Sequence, residues 1–94
     1  MIIGYLGIEI YFPYSHSLKE KRKRLKSYQD RLKKKFNVSF AELDFQNKWQ
    51  RAKIGIVMIN NKQTLIEKVF KQLIREAEES IEGEIIYKET DFFK

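Results

Sequence analysis

The chain has 94 residues, 19 Lys and Arg against 13 Asp and Glu, a formal net charge of +6, and no cysteine. That length fits one domain with a thin core, so nearly every apolar stripe must be used. The missing thiols exclude disulfides, zinc–thiolate sites and cysteine catalysis. A hydrophobic share of 43% argues against disorder. No apolar run approaches the ~18 residues a membrane helix needs. The first residues, Met1-Ile2-Ile3-Gly4-Tyr5, do not read as a secretory signal. The expected location is the cytoplasm, with no membrane association. Lys and Glu dominate the charged residues, a bias of heat-adapted proteins.

Ile2 to Phe12 is predicted as a strand, because Leu6, Ile8, Ile10 and Phe12 alternate with Gly7, Glu9 and Tyr11. Pro13 stops it. Ser17-Leu18-Lys19-Glu20 fits a capping box, with Ser17 accepting from the backbone of Glu20 and Glu20 reaching back to Ser17. A helix to about Phe36 follows, with Leu18, Leu25, Tyr28, Leu32 and Phe36 as its apolar stripe. Val38 to Phe45 is a second strand whose inward face is open: Ala41, Leu43 and Phe45 compete with Val38 and Phe40. Gln46-Asn47-Lys48 reads as a hairpin tip, and Gln50 to Asn60 as a third strand. Asn61 or Thr64 is expected to cap a helix from Gln63 to Ile81, ended by Gly83. Glu84 to Phe92 is a last strand.

The order β-α-β-β-α-β, with two right-handed crossovers, predicts an α+β ferredoxin-like sandwich over residues 1–94. Its antiparallel sheet should run in the order 4-1-3-2, with two helices on one face. This topology brings the start of the first helix to the same sheet end as the second hairpin. Tyr14-Ser15-His16-Ser17 should therefore approach Trp49-Gln50-Arg51, though distant in sequence. Free N–H groups at a helix start favour anions, and His16, Ser17, Lys19 and Arg51 would reinforce such a site. The competing reading makes Ser17 a cap, His16 a solvated side chain and Trp49 a plug on the sheet's end.

Residues 1–53 carry 13 basic and 5 acidic residues, a net +8, whereas 54–94 net −2. Ten of those cations lie on the first helix, facing only Glu20 and Asp30. Lys21, Arg24, Tyr28, Arg31 and Lys35 fall at three- and four-residue steps, with Lys19 and Arg22 beside them. Such a stripe matches a nucleic-acid backbone footprint. A solvated face that aids solubility is the alternative.

No catalytic constellation is found, since a single histidine must serve every role, and Gly4, Gly7, Gly55 and Gly83 form no phosphate loop. A non-enzymatic protein without metal or cofactor is expected. The third strand has no aromatic residue, which argues against stacking bases in the manner of RNA-recognition domains. The uncovered sheet face would instead present Ile3, Tyr5, Tyr11, Val57 and Ile59 around Glu9 and Lys53, a half-apolar surface suited to a homodimer.

Pro13, His16-Ser17-Leu18-Lys19-Glu20-Lys21-Arg22, Phe36-Asn37-Val38-Ser39, Ala41-Glu42 and Trp49-Gln50-Arg51-Ala52 together resemble the YlxP-like family, bacterial domains of unknown function. The resemblance covers nearly the whole chain. It implies a ferredoxin-like fold and gene neighbourhoods with translation-initiation and ribosome-maturation factors, an association rather than a mechanism. Its recurring segments fall on the sheet end assembled above. Lys23 and Arg24 depart from a more apolar family pattern, so part of the basic excess belongs to this chain. The leading expectation is association with RNA or a ribosomal particle: the first helix grips phosphates, and His16, Ser17, Trp49, Gln50 and Arg51 give selectivity.

Overall fold

The computed structural model describes all 94 residues. The elements are β1 (Ile2–Tyr11), α1 (Leu18–Lys35), β2 (Ser39–Asp44), β3 (Arg51–Asn60), α2 (Gln63–Ser80) and β4 (Glu84–Phe93). The sheet order is β2-β3-β1-β4, and every pairing is antiparallel. This is the predicted ferredoxin-like α+β sandwich.

The period-2 pattern of β1 sends Leu6, Ile8, Ile10 and Phe12 into the core, opposite Ala52 and Ile54 and Ile56 of β3. Leu25, Tyr28 and Leu32 of α1 close over them, beside Ile66, Val69, Phe70 and Leu73 of α2. Burial of this cluster is the main stabilising term in so small a fold.

The inward face of β2 is the one carrying Val38 and Phe40, which pack on the core. Leu43 lies on the opposite face, where its side chain reaches the backbone of Gly55. The register of β2 against β3 shifts between Glu42 and Asp44. A bulge of this kind bends and twists an edge strand.

Three local expectations differ. Glu20 accepts from the backbone N–H of His16 at 2.8 Å, one residue earlier than a capping box requires. Neither Asn61 nor Thr64 caps α2. Its N-cap is Lys62, without a side-chain cap, and Asn60 Oδ1 accepts from Lys62 N–H at 2.9 Å. After α2 the left-handed residue is Glu82, with φ 56°, not Gly83. Gly83 serves close approach: a Cβ there would lie 2.8 Å from Ile10 Cγ2 and 3.0 Å from the Tyr11 carbonyl oxygen.

Candidate functional site

The predicted meeting of the first loop and the second hairpin is present. Phe12 N–H donates to the Gln50 carbonyl at 2.8 Å, continuing the ladder past the end of β1. Gln50 Nε2 donates to the Pro13 carbonyl at 3.3 Å and the Ser15 carbonyl at 3.5 Å. Gln50 therefore fastens the two segments. Ser17 Oγ accepts from Glu20 N–H at 3.1 Å, the expected N-cap. The carboxylate at this helix start is supplied by the chain itself, through Glu20. His16 is exposed beside it, and Trp49 is 46% exposed. Trp49 is thus no plug in the sheet's end. It borders a shallow depression with Tyr11, Arg51 and Ile86.

Lys21 corrects the expected phosphate stripe. Its side chain has no solvent exposure. Nζ lies 2.9 Å from Glu42 Oε2 and donates to the Phe45 carbonyl at 2.8 Å and the Arg51 carbonyl at 3.1 Å. Two hydrogen bonds to hairpin carbonyls and the ion pair with Glu42 engage the ammonium, so Lys21 holds the β2–β3 hairpin rather than meeting a phosphate. Periodicity alone missed this, because a buried lysine and a solvated one look alike in sequence. The legible signal was Glu42 at an inward position of a short strand.

The hairpin held by Lys21 is strained. Phe45 has φ 63°, a left-handed conformation that non-glycine residues adopt rarely. It is held by Lys21 on its carbonyl, by Lys48 N–H on the same oxygen at 2.9 Å, and by Asp44 Oδ1 accepting from its N–H at 2.7 Å. The Arg51 guanidinium sits 4.2 Å from the Phe45 ring centroid and pairs with Glu9 at 3.0 Å. The charge of Arg51 is therefore already engaged.

Arg24 and Arg31 are only partly exposed and point along the flank toward α2, where both have carboxylate partners. Arg24 pairs with Glu82. Arg31 donates to Ser80 Oγ at 2.8 Å and lies 3.8 Å from Glu76, which also takes Lys35 at 3.1 Å. Tyr28, on the same stripe, is fully buried and donates to the Leu73 carbonyl at 2.7 Å. Burial first, and then the carboxylate of Glu76, hold its phenol well above the ordinary value.

The outward side of α1 is a different set. Lys19, Arg22, Lys23, Lys33 and Lys34 are exposed and form no ion pair. Lys26 joins them, paired only with Asp30 on its own helix at 3.1 Å. Lys19, Arg22, Lys23 and Lys26 form one wall of a groove against Phe40 and Ala41 of edge strand β2.

On the uncovered sheet face, Tyr5, Tyr11, Val57 and Ile59 stand where expected. Gly7 pairs directly with Gly55 at the centre. The Tyr5 ring lies across both glycines, since a Cβ on Gly7 would be 2.6 Å from Tyr5 Oη and one on Gly55 3.1 Å from Tyr5 Cε1. Tyr5 Oη donates to Glu89 at 3.4 Å, and Tyr87 Oη donates to the same carboxylate at 3.0 Å. Desolvation of Tyr5, and the hydrogen bond to Glu89 at Tyr87, raise both phenols above their ordinary value.

These observations define a ferredoxin-like α+β domain with a solvent-facing cationic helix and one uncovered sheet face. The chain belongs to the family described as Protein of unknown function (DUF503), whose model matches residues 3–90. It is 33% identical over 92 residues to the Uncharacterized protein YlxP of Bacillus subtilis (strain 168), covering 98% of this chain and all of that relative. The resemblance read from the sequence therefore holds. Among solved structures, the structural-genomics protein YJCS aligns with TM-score 0.61 at 12% identity, covering 95% of this chain and 96% of that one. SnoaB of Streptomyces nogalater, a cofactor-independent oxygenase, aligns with TM-score 0.56 at 7% identity, covering 99% and 91%. At such identities the likeness concerns the fold alone.

Proposed function

We propose that this protein binds RNA, as a free molecule or within a ribosomal particle, through the outward side of α1. The observation that carries the reading is the set of exposed, unpaired cations Lys19, Arg22, Lys23, Lys33 and Lys34. Like charges at three- and four-residue spacing destabilise a helix by a few tenths of a kcal/mol per pair. Lys19, Arg22 and Lys23 also stand at the end of α1 where the helix dipole disfavours cations. A bound polyanion relieves both costs, while the inward cations are already neutralised by Glu42, Glu76 and Glu82.

Contacts of this type give affinity with little sequence reading, because phosphates carry none. About five phosphate contacts imply a fall of log K with log salt of slope roughly −4, or ~200-fold between 50 and 200 mM salt. The test is titration of the protein with ribosomal RNA at several salt concentrations, together with co-sedimentation with ribosomal subunits. Salt-independent or absent binding overturns the reading.

A further inference from the structure

We infer that the RNA taken by this protein is single-stranded and lies in the groove between α1 and edge strand β2. The inference rests on the RNA reading above and adds which form of RNA binds and what it touches.

One row of side chains runs down the β2 flank of α1. Lys19, Arg22, Lys26, Gln29 and Lys33 follow one another at three- and four-residue steps, so they share a helix face. The four cations among them are exposed, and Gln29 is half-buried. At the rise of an α-helix the row is about 21 Å long. Its first half forms one wall of a groove of about 710 Å³, with Lys23 beside it and Phe40 and Ala41 of β2 opposite. Farther along, Lys33 and Lys34 line a second recess with Phe36, Asn37 and Val38, the segment that leads into β2. The cations thus border recesses. Proteins that hold single strands commonly track the backbone with a positively charged groove of this kind.

Charge selects an anionic occupant. Four carboxylates stand near the row, and each is engaged within the chain. Glu42 is matched by Lys21, and Asp30 pairs with Lys26. Glu20 accepts from His16 N–H, and Asp44 from Phe45 N–H. Against these four stand Lys21 and the six outward cations of α1, a net +3.

Strand β2 selects the single-stranded form. It is the edge of the sheet and pairs only with β3. An edge strand leaves a row of backbone N–H and C=O groups unpaired on its outer side. The groove is lined by three consecutive residues of β2, Phe40, Ala41 and Glu42. Their side chains alternate between the two faces, so it is the outer edge of the strand that borders the groove. Unpaired bases present free hydrogen-bonding edges that such a backbone meets, and half-buried Phe40 adds an apolar contact. In a duplex those base edges are already paired. A strand-forming acidic peptide would end where β2 begins, at Ser39, and leave Lys33 and Lys34 unused. A phosphate backbone follows the whole row.

The test compares labelled oligouridylate of about 12 nucleotides, which stays unpaired, with an RNA duplex of about 12 base pairs, by fluorescence anisotropy at one salt concentration. General electrostatic attraction favours the duplex, whose charge density is higher. The reverse is expected here, with the single strand bound about tenfold more tightly. Gln29→Glu sets a carboxylate in the middle of the row at nearly constant size, and should weaken oligouridylate binding about fivefold. Gln72→Glu, the same charge change on an exposed site of α2, should weaken it about twofold at most. In heteronuclear NMR spectra of the native protein, the backbone amides of Phe40, Ala41 and Glu42 should shift as oligouridylate is added. Equal or tighter binding of the duplex overturns the inference and leaves the RNA reading standing. So does oligouridylate binding that Gln29→Glu leaves unchanged, or a titration in which α1 amides move and those of β2 do not. Poly-glutamate bound as tightly as oligouridylate overturns it in favour of an acidic peptide. Failure of both RNAs to bind overturns the RNA reading itself.

Discussion

Lys21 Nζ lies 2.9 Å from Glu42 Oε2, and this pair ties α1 to edge strand β2. Lys21 is fully buried, whereas Glu42 keeps 20% of its side-chain surface. Two backbone carbonyls complete the lysine's coordination. Removing one partner of such a pair strands the other charge, which costs about 3–5 kcal/mol in a dry interior and less where one partner is partly wet. Glu42→Ala is therefore expected to destabilise the fold by roughly 2–3 kcal/mol in urea unfolding. Lys21→Met should lose a similar amount and loosen Phe45 and the hairpin behind it. If Lys21→Met unfolds like the native chain, the lysine does not hold the hairpin.

The same pair shows where sequence reading stops. Strict alternation in β1 and the Ile66–Phe70–Leu73 spacing of α2 are dictated by burial, so order and topology follow from them. The meeting of Ser15 with Gln50 follows from topology in turn. Which side of α1 faces water does not. Leu25, Tyr28 and Leu32 leave a stripe too narrow to decide the flanks. Lys21 enters the core only because Glu42, inward on an edge strand, meets it there. Arg24 and Arg31 turn toward α2 because Glu82 and Glu76 lie across the helix pair. These partners are 21 to 58 positions away, beyond any helical period. Phe45 and Glu82 take positive φ for reasons of local closure that their residue types do not advertise.

Two sets of cations on one helix should behave differently. Arg22, Lys23 and Lys26 face solvent, whereas Arg24, Arg31 and Lys35 are paired with carboxylates of or beside α2. Changing Arg22, Lys23 and Lys26 together to Glu should leave the melting temperature nearly unchanged. It should reduce the salt slope of RNA binding by about 2–3. Changing Arg24 and Arg31 to Glu should instead set like charges against Glu82 and Glu76 and lower stability. Equal losses of RNA affinity from both sets, at equal stability, would contradict the assignment of the binding side.

Tyr28 makes stability depend on alkaline pH. Its phenol sits above the ordinary value of 10.0 because burial opposes the phenolate. Below pH 10 both folded and unfolded chains keep the proton, and the contribution is complete. As pH rises past 10 the unfolded chain releases its proton while the folded one retains it. Stability then falls, by up to about 1.4 kcal/mol per pH unit. Tyr28→Phe should remove this part of the alkaline slope. It should also cost about 1 kcal/mol at neutral pH, through the lost bond to the Leu73 carbonyl. Urea midpoints of both proteins between pH 8 and 11, as about four spaced readings, give the comparison. Parallel curves would mean the phenol is not shielded.

Gly4 sets how closely α2 lies on the sheet. It is buried on β1, and a Cβ there would stand 2.5 Å from Ile66 Cγ2 and 3.1 Å from the Phe70 ring. Both neighbours are core residues, and Phe70 is stacked with Phe92 of β4 at a centroid distance of 6.4 Å. Both side chains are buried, so neither can yield toward solvent. Gly4→Ala should therefore push α2 away from the sheet and cost about 1–3 kcal/mol, the usual range for overpacking. The gain in strand propensity from replacing glycine offsets only part of this, up to about 1 kcal/mol. Ile66→Ala in the same chain removes Cγ2, the atom that the added Cβ would meet. The double variant should lose less in urea unfolding than the two single losses added together, a coupling that independent sites would not show. If the two effects simply add, the close approach of Gly4 to Ile66 is not what holds α2 in place.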